Sequence, residues 1–306
     1  MVCYHPLCGY RITDKNGNVN VKVFGSIFDF DQFSKIQSYY AADGSFREPI
    51  ILPCGQCIGC RLERSRQWAV RCIHESQLYE HNCFLTLTYD DAHLPSDGSL
   101  HKEDLQKFWK RLRKAIYPAK LRYFACGEYG SKLNRPHYHA IIFNYRPEDQ
   151  KLFTLRGGSK IYISDTIKKC WPYGFHTIGD VTFESAAYVA RYILKKVNGS
   201  GSGLHYEGLV PEFIVMSRRP GIAREWFEKF NGDVYPNDYI VIRDNIKCRP
   251  PKYYDKLYDE LFGNLDYIKN KRLDNHKSLS WKEIKRKEKY ADTYIKNKLK
   301  RNYEED

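Results

Sequence analysis

Two short stretches carry side chains whose types and spacing could do chemistry. The first is Arg135-Pro136-His137-Tyr138-His139, continuing into Ala-Ile-Ile-Phe. In an extended strand alternate residues share a face, so His137 and His139 project together about 7 Å apart. Two imidazoles so placed can share a divalent cation. Glu128 precedes them across the turn at Gly130–Pro136, where a hairpin could bring its carboxylate to the same face; His176, further on, is the alternative third ligand. A two-histidine, one-carboxylate set with open positions fits Mg²⁺ or Mn²⁺ polarising a phosphate oxygen as a Lewis acid. The second stretch is Tyr188-Val-Ala-Arg191-Tyr192-Ile-Leu-Lys195-Lys196. On a helix Tyr188 and Tyr192 stand on one face, about 6 Å apart along the axis. Arg191 and Lys195 each lie one turn beyond a tyrosine, and a nearby cation or metal favours the nucleophilic phenolate. Taken singly, both patterns also suit plain packing.

A third cluster is Cys54-Gly55-Gln56-Cys57-Ile58-Gly59-Cys60, whose glycines let a loop turn its thiolates toward one point. An iron–sulfur run would continue with a cysteine where Arg64 stands. A structural Zn²⁺ held by Cys54, Cys57 and Cys60 needs a fourth ligand from Cys3, His5, Cys8, Cys72 or His74. The alternative is a tight turn entering the next helix.

The elements that must position these residues can be read from periodicity. Arg61–Tyr79 has no Pro or Gly and spaces its apolar residues as an Arg-rich amphipathic helix. Cys83–Tyr89 alternates as a strand, Lys102–Ile116 as an amphipathic helix, and Leu121–Tyr129 with His137–Asn144 as a hairpin. A polar helix is expected over Arg146–Leu155 and another over Ser164–Cys170. A strand at Gly174–Phe183 and a helix at Glu184–Val197 follow, then the flexible break Asn198-Gly-Ser-Gly-Ser-Gly203. A strand at Glu212–Met216, a helix at Ile222–Phe230 and a charged helical tail complete the chain. The fold class is α+β, an antiparallel sheet with helices packed on it.

Composition bounds the partner. The 306 residues carry 50 Lys+Arg against 37 Asp+Glu, a net charge of +13, with 25 Tyr, 16 Phe and 5 Trp. So many aromatics exclude wholesale disorder, and no apolar run is long enough to span a membrane. The N-terminus has no apolar signal segment, so the ten cysteines are expected as thiols or metal ligands rather than disulfides. Cations track phosphates and aromatic rings stack on bases, which suits single-stranded nucleic acid.

In combination the motifs resemble the HUH endonucleases that start rolling-circle replication. Phe84-Leu85-Thr86-Leu87-Thr88 looks like their first motif, His137-Tyr138-His139 the second, and Tyr188-xxx-Tyr192-xx-Lys195 the third. Pro53–Arg61 (PCGQCIGCR), the GEYG…RPHYHAIIF hairpin, AAYVARYILKK and MSRRPGI together resemble the replication-initiation proteins of gokushoviruses, small single-stranded DNA phages. The resemblance spans Pro53–Ile222. It implies a ferredoxin/RRM-like core at 81–200, after an N-terminal segment at 1–80 with the Cys-rich loop and Arg-rich helix, and before a basic, mostly helical extension at 201–306. It implies Glu128, His137 and His139 as metal ligands, Tyr188 and Tyr192 as nucleophiles and Lys195 as the catalytic cation. Thr86, Thr88, Arg135, Arg191 and Lys196 are expected to touch DNA. The implied reaction is site-specific nicking and rejoining at a phage origin through a 5′-phosphotyrosine. The expected partners are origin DNA, the double-stranded replicative form, and host helicase and polymerase, in the cytoplasm of the infected bacterium. No ATP is expected, since no GxxxxGK[ST] loop is present. A relaxase or transposase shares the chemistry; a water-using metal hydrolase would not need the tyrosines, and a non-catalytic DNA-binding protein would need neither motif.

Overall fold

A computed structural model describes residues 3–27, 36–130, 133–195, 206, 208–242, 245–263, 265–275 and 279–299, with side chains undescribed at 191–195 and 296–299. The chain forms two compact units, one from Met1–Glu63 with Ser278–Arg301, the other from Arg64–Lys277. In the first unit β1 (Leu7–Thr13), β2 (Val19–Ser26), β3 (Tyr39–Tyr40) and β4 (Phe46–Leu52) make an antiparallel sheet ordered β2-β1-β4-β3. Helix α1 (Ile58–Ser76) starts there and belongs to the second unit from Arg64 on.

The second unit is built on seven antiparallel strands: β5 (Asn82–Tyr89), β6 (Arg122–Tyr129), β7 (Pro136–Phe143), β8 (Gln150–Arg156), β9 (Ser159–Ser164), β10 (Gly174–Gly179) and β11 (Phe213–Met216). Their order is β11-β6-β7-β5-β10-β9-β8. Alternation sorts the central strands into two faces. Leu85, Leu87, Ala125, Tyr138, Ala140 and Ile142 point to one, where α2 (Lys102–Ala115) and α3 (Asp165–Cys170) add Leu105, Phe108, Trp109, Leu112 and Ile167. Phe124, Cys126, Ile141 and Phe143 point to the other. There they meet Ala69, Val70 and Cys72 of α1, Ala186 and Val189 of α4 (Phe183–Lys195), and Phe227 of α5 (Arg224–Val234). With helices on both faces, β7 is apolar along nearly its whole length, and only its first residues, the HxH stretch, are polar.

The expected polar helix over Arg146–Leu155 is instead the first arm of a hairpin, β8–β9. Gly157 and Gly158 have φ of +55° and +80°, the left-handed pair a two-residue turn needs, and β-branched and aromatic residues flank it. The short helix at Ser164–Cys170 does form, with the Ser164 hydroxyl accepting from the Ile167 amide as its N-cap. The charged tail contains α6 (Lys252–Phe262), α7 (Asp266–Asp274) and α8 (Trp281–Leu299), plus a two-stranded β12–β13 ribbon (Ile240–Val241, Lys247–Cys248) just before it. Tyr254 and Leu257 of α6 and Ile268 of α7 are core residues of the second unit.

Candidate active site

The first residues of β7 sit between β5 and β6, and register decides what surrounds them. Thr88 and Glu128 flank His137; Thr86 and Cys126 flank His139. Cross-strand partners on one face stand close enough for short side chains to bond. The Thr86 hydroxyl lies 3.0 Å from Nδ1 of His139, and the Thr88 hydroxyl 3.0 Å from Nδ1 of His137. Glu128 opposes His137 in register, yet its carboxylate reaches diagonally to Nε2 of His139 at 2.8 Å. Both members of that pair are buried, Glu128 at 3% exposure and His139 at 7%. The two imidazole centroids are 6.4 Å apart, matching the strand spacing.

Aromatic rings complete the wall. Phe84, two residues before Thr86, stacks on His139 at 5.8 Å. From α4, Tyr188 meets His139 edge-on, with centroids 5.2 Å apart and planes at 87°. Gly130 follows β6, and a Cβ there would stand 2.9 Å from Nε2 of His137, so the glycine makes room for that imidazole.

Two imidazoles and a carboxylate are donor types that a divalent cation accepts. Each histidine has Nδ1 beside a threonine hydroxyl, and Nε2 of His139 faces a buried carboxylate oxygen. A hydroxyl can give or accept, so either threonine can hold a neutral imidazole in whichever tautomer a metal selects.

The family model for the ORF2 type of replication-associated protein matches residues 82–197, the stretch from β5 through α4 that carries this constellation. Replication-associated protein VP4 of Bdellovibrio phage phiMH2K is 38% identical over 215 residues, 67% of each chain. Replication-associated protein ORF2 of Spiroplasma virus 4 is 34% identical over 289 residues, 89% of this chain and 86% of the relative. The chain belongs to this family of phage replication-associated proteins. Replication-associated protein ORF4 of Chlamydia phage 1 is 32% identical over 195 residues, 61% of this chain and 46% of that one. No solved structure matches.

Other expected site residues of this replication-associated protein are placed as follows. Arg135 is tied to the loop after β5, donating to the Tyr89 carbonyl at 3.0 Å and to Asp91 at 2.5 Å. The backbones of Arg191, Tyr192 and Lys195 continue α4, but their side chains lie outside the described residues, as does the whole of Lys196. His176 is not a third ligand. It pairs in register with Leu87, which puts it on the opposite face of the sheet, and its Nε2 accepts from the Ser164 amide. The contacts of Thr86 and Thr88 with the imidazoles are not legible from the motif; only the β5–β7 register reveals them.

The cysteine loop of the replication-associated protein is completed by Cys3. The Sγ atoms of Cys3, Cys54, Cys57 and Cys60 all lie within 4.8 Å of one another and could hold a metal such as zinc. Cys3 stands 3.7 Å from Cys54 and 3.9 Å from Cys57. Tetrahedral zinc with Zn–S near 2.3 Å sets sulfurs about 3.8 Å apart. Backbone amides point at the sulfurs: Cys54 donates to Cys3, Tyr4 to Cys57, and Gln56 and Cys57 to Cys54. Burial opposes ionisation of Cys57, but amide donation from Tyr4 and Cys60 outweighs it and brings the thiol down to about 7. Gly55, at φ +74°, makes the turn that aims these amides inward. Of the other candidate ligands, His5 bonds Glu288, His74 bonds the Tyr254 hydroxyl, Cys8 is buried in the β1–β2 pair, and Cys72 is in the second unit's core.

Proposed function

We propose that the chain initiates rolling-circle replication of a single-stranded DNA phage by nicking and rejoining one strand at the origin. The observation that carries this reading is Tyr188 packed against His139 of the Thr86–His139–Glu128 network, which sets a tyrosine beside a two-histidine, one-carboxylate cluster. Glu128, His137 and His139 would hold Mg²⁺ or Mn²⁺, which would supply Lewis-acid stabilisation of charge on the scissile phosphate. Thr86 and Thr88 fix the imidazoles rather than reading DNA. Tyr188 or Tyr192 gives up its phenolic proton and attacks the phosphorus. The P–O3′ bond breaks, the 3′-oxygen takes up a proton, and the 5′-phosphate stays on the tyrosine as a phosphodiester. One phosphodiester replaces another, so the step needs no ATP. Lys195 steadies the reacting phosphate, and Arg135, Arg191 and Lys196 contact the strand.

The released 3′-hydroxyl primes host polymerase behind a host helicase on the double-stranded replicative form, in the cytoplasm of the infected bacterium. After one circuit the second tyrosine cuts the regenerated origin, and the freed 3′-hydroxyl attacks the first phosphotyrosine to close the circle. Cleavage of labelled single-stranded oligonucleotides tiling the encoding genome tests the reading. Tyr188→Phe and Tyr192→Phe singly should retain some nicking, and the double variant should form no covalent adduct; an adduct in the double variant sinks the tyrosine roles.

The four cysteines are read as a closed, structural Zn²⁺ site with no open position for substrate. Its support is the sulfur spacing and the amides aimed at the thiolates.

A further inference from the structure

The segment Ser217–Ala223, between β11 and α5, contains the Arg-Arg-Pro-Gly stretch that the reaction above leaves unused. Surface loops are normally loosely held. This one is clamped from beneath by buried and half-buried groups. Arg122 donates to the Pro220 carbonyl at 2.8 Å while also bonding Glu75. Arg71 donates twice to the Ile222 carbonyl, at 3.2 and 3.0 Å. Glu75, 2% exposed, accepts from the Ala223 amide at 2.5 Å. The Arg71 guanidinium is itself sandwiched between Trp68 at 4.0 Å and Tyr253 at 3.8 Å. Gly221 is required here, because a Cβ would run into the Tyr253 hydroxyl.

This rigid backbone presents two exposed arginines, Arg218 and Arg219, which make no ion pair among the described residues. They line an open groove of about 490 Å³ with Arg224 and Lys256, against the single carboxylate of Glu260. Arg224 is paired with Glu228 at 2.7 Å, and Glu260 sits between Lys256, at 3.6 Å, and Arg224, at 4.0 Å, so the cationic excess of the groove rests on Arg218 and Arg219. Guanidinium pairs on a fixed backbone suit phosphate, which they can grip with parallel N–H donors.

We propose that this groove binds a backbone phosphate of single-stranded DNA, as a second contact apart from the cleavage centre. The proposal rests on the reading of the chain as a DNA-nicking protein. The geometry sets a distance. β11 runs antiparallel to β6, with Phe213 opposite Gly127 and Met216 opposite Phe124, and Ser217 bonds Tyr123. The clamped loop therefore leaves the sheet five residues along β6 from Glu128, about 17 Å away at 3.3–3.4 Å per residue. The groove's Leu257 and the adjoining Ile222 pack in the same core cluster as Phe124 and Cys126, so it lies on the sheet face that bears Glu128. A strand engaging both sites spans about five stacked nucleotides.

The test uses the full chain and fluorescein-labelled oligonucleotides of increasing length, without added Mg²⁺ or Mn²⁺ so that binding is separated from cleavage. Arg218→Gln with Arg219→Gln should weaken binding of longer oligonucleotides about ten-fold or more and lower the salt slope of log K by about 0.7 per lost phosphate contact. Short oligonucleotides should bind both forms alike, and the double Arg→Lys variant should recover part of the loss. Equal affinity and equal slope for variant and wild type at every length overturn the proposal. So does a loss that is the same for short and long oligonucleotides, which would be a general charge effect. Inorganic phosphate competing equally well against every length would likewise count against a strand-specific contact. Failure of the nicking reading is seen separately, in the covalent-adduct assay with the tyrosine variants, because binding without added Mg²⁺ or Mn²⁺ does not depend on it.

Discussion

The Thr86→Val substitution separates two roles for that side chain. Valine keeps the shape and removes the hydroxyl that lies 3.0 Å from Nδ1 of His139. His139 is only 7% exposed, so water cannot easily replace the lost partner. Leaving a buried nitrogen unsatisfied costs about 1–3 kcal/mol, and loss of a partner that orients a metal-bound histidine lowers metal affinity about 10- to 100-fold. The two ranges agree. The expected outcome is a 10- to 100-fold rise in the Mn²⁺ concentration that half-saturates cleavage of a single-stranded oligonucleotide, with recovery of rate at high Mn²⁺. Thr88→Val should do less, about 2- to 10-fold, because His137 is only half-buried and water can substitute. Oligonucleotide affinity without added Mg²⁺ or Mn²⁺ should be unchanged in both. An unchanged Mn²⁺ midpoint together with weakened DNA binding would mean that the threonines contact the strand and do not orient the imidazoles.

Three further outcomes are expected. Gly130→Ala brings a Cβ within 2.9 Å of Nε2 of His137 and should slow cleavage about ten-fold or more; wild-type rates would show that the imidazole is free to move aside. Zinc analysis of the purified chain should find about one Zn²⁺ per molecule and almost none in Cys57→Ser; equal zinc in both would remove Cys57 from the site. Burial holds His74 down to about 3 in the fold, against 6.5 for the free side chain, so between those values the unfolded chain carries the extra proton. Stability from this group is therefore complete above about pH 6.5 and is lost as pH falls, by about 1.4 kcal/mol per unit. Urea unfolding at pH 7 and pH 5 should show about 2 kcal/mol more loss in wild type than in His74→Gln, and parallel losses would contradict the assignment.

Much of the site is legible in the sequence because its signals are local. The HxH alternation places both imidazoles on one face of β7, and the four-residue tyrosine spacing puts α4 where it forms. What escapes is set by long-range register. Thr86 and Thr88 meet the imidazoles only because β5 pairs with β7 in one alignment, and His176 is excluded only because it falls opposite Leu87. Cys3 lies 51 residues before Cys54, so nothing in the loop singles it out over His5 or Cys8. The β8–β9 hairpin reads as a helix because its polar residues mask the alternation, and the Gly157-Gly158 turn is the local signal against that reading. The tail's charges hide its packing signal, although Tyr254 and Leu257 are spaced to anchor α6 in the core.

The roles proposed for Tyr188 and Tyr192 depend on one event, the joining of a tyrosine of α4 to DNA. Mass spectrometry of peptides detects it directly, after incubation with single-stranded viral DNA and Mn²⁺ and digestion of the nucleic acid. The expected product is a peptide carrying a nucleotide through a phosphate on Tyr188 or Tyr192, absent from the double phenylalanine variant. Cleaved DNA with a free 5′-phosphate and no modified peptide would mean that water, not tyrosine, is the nucleophile.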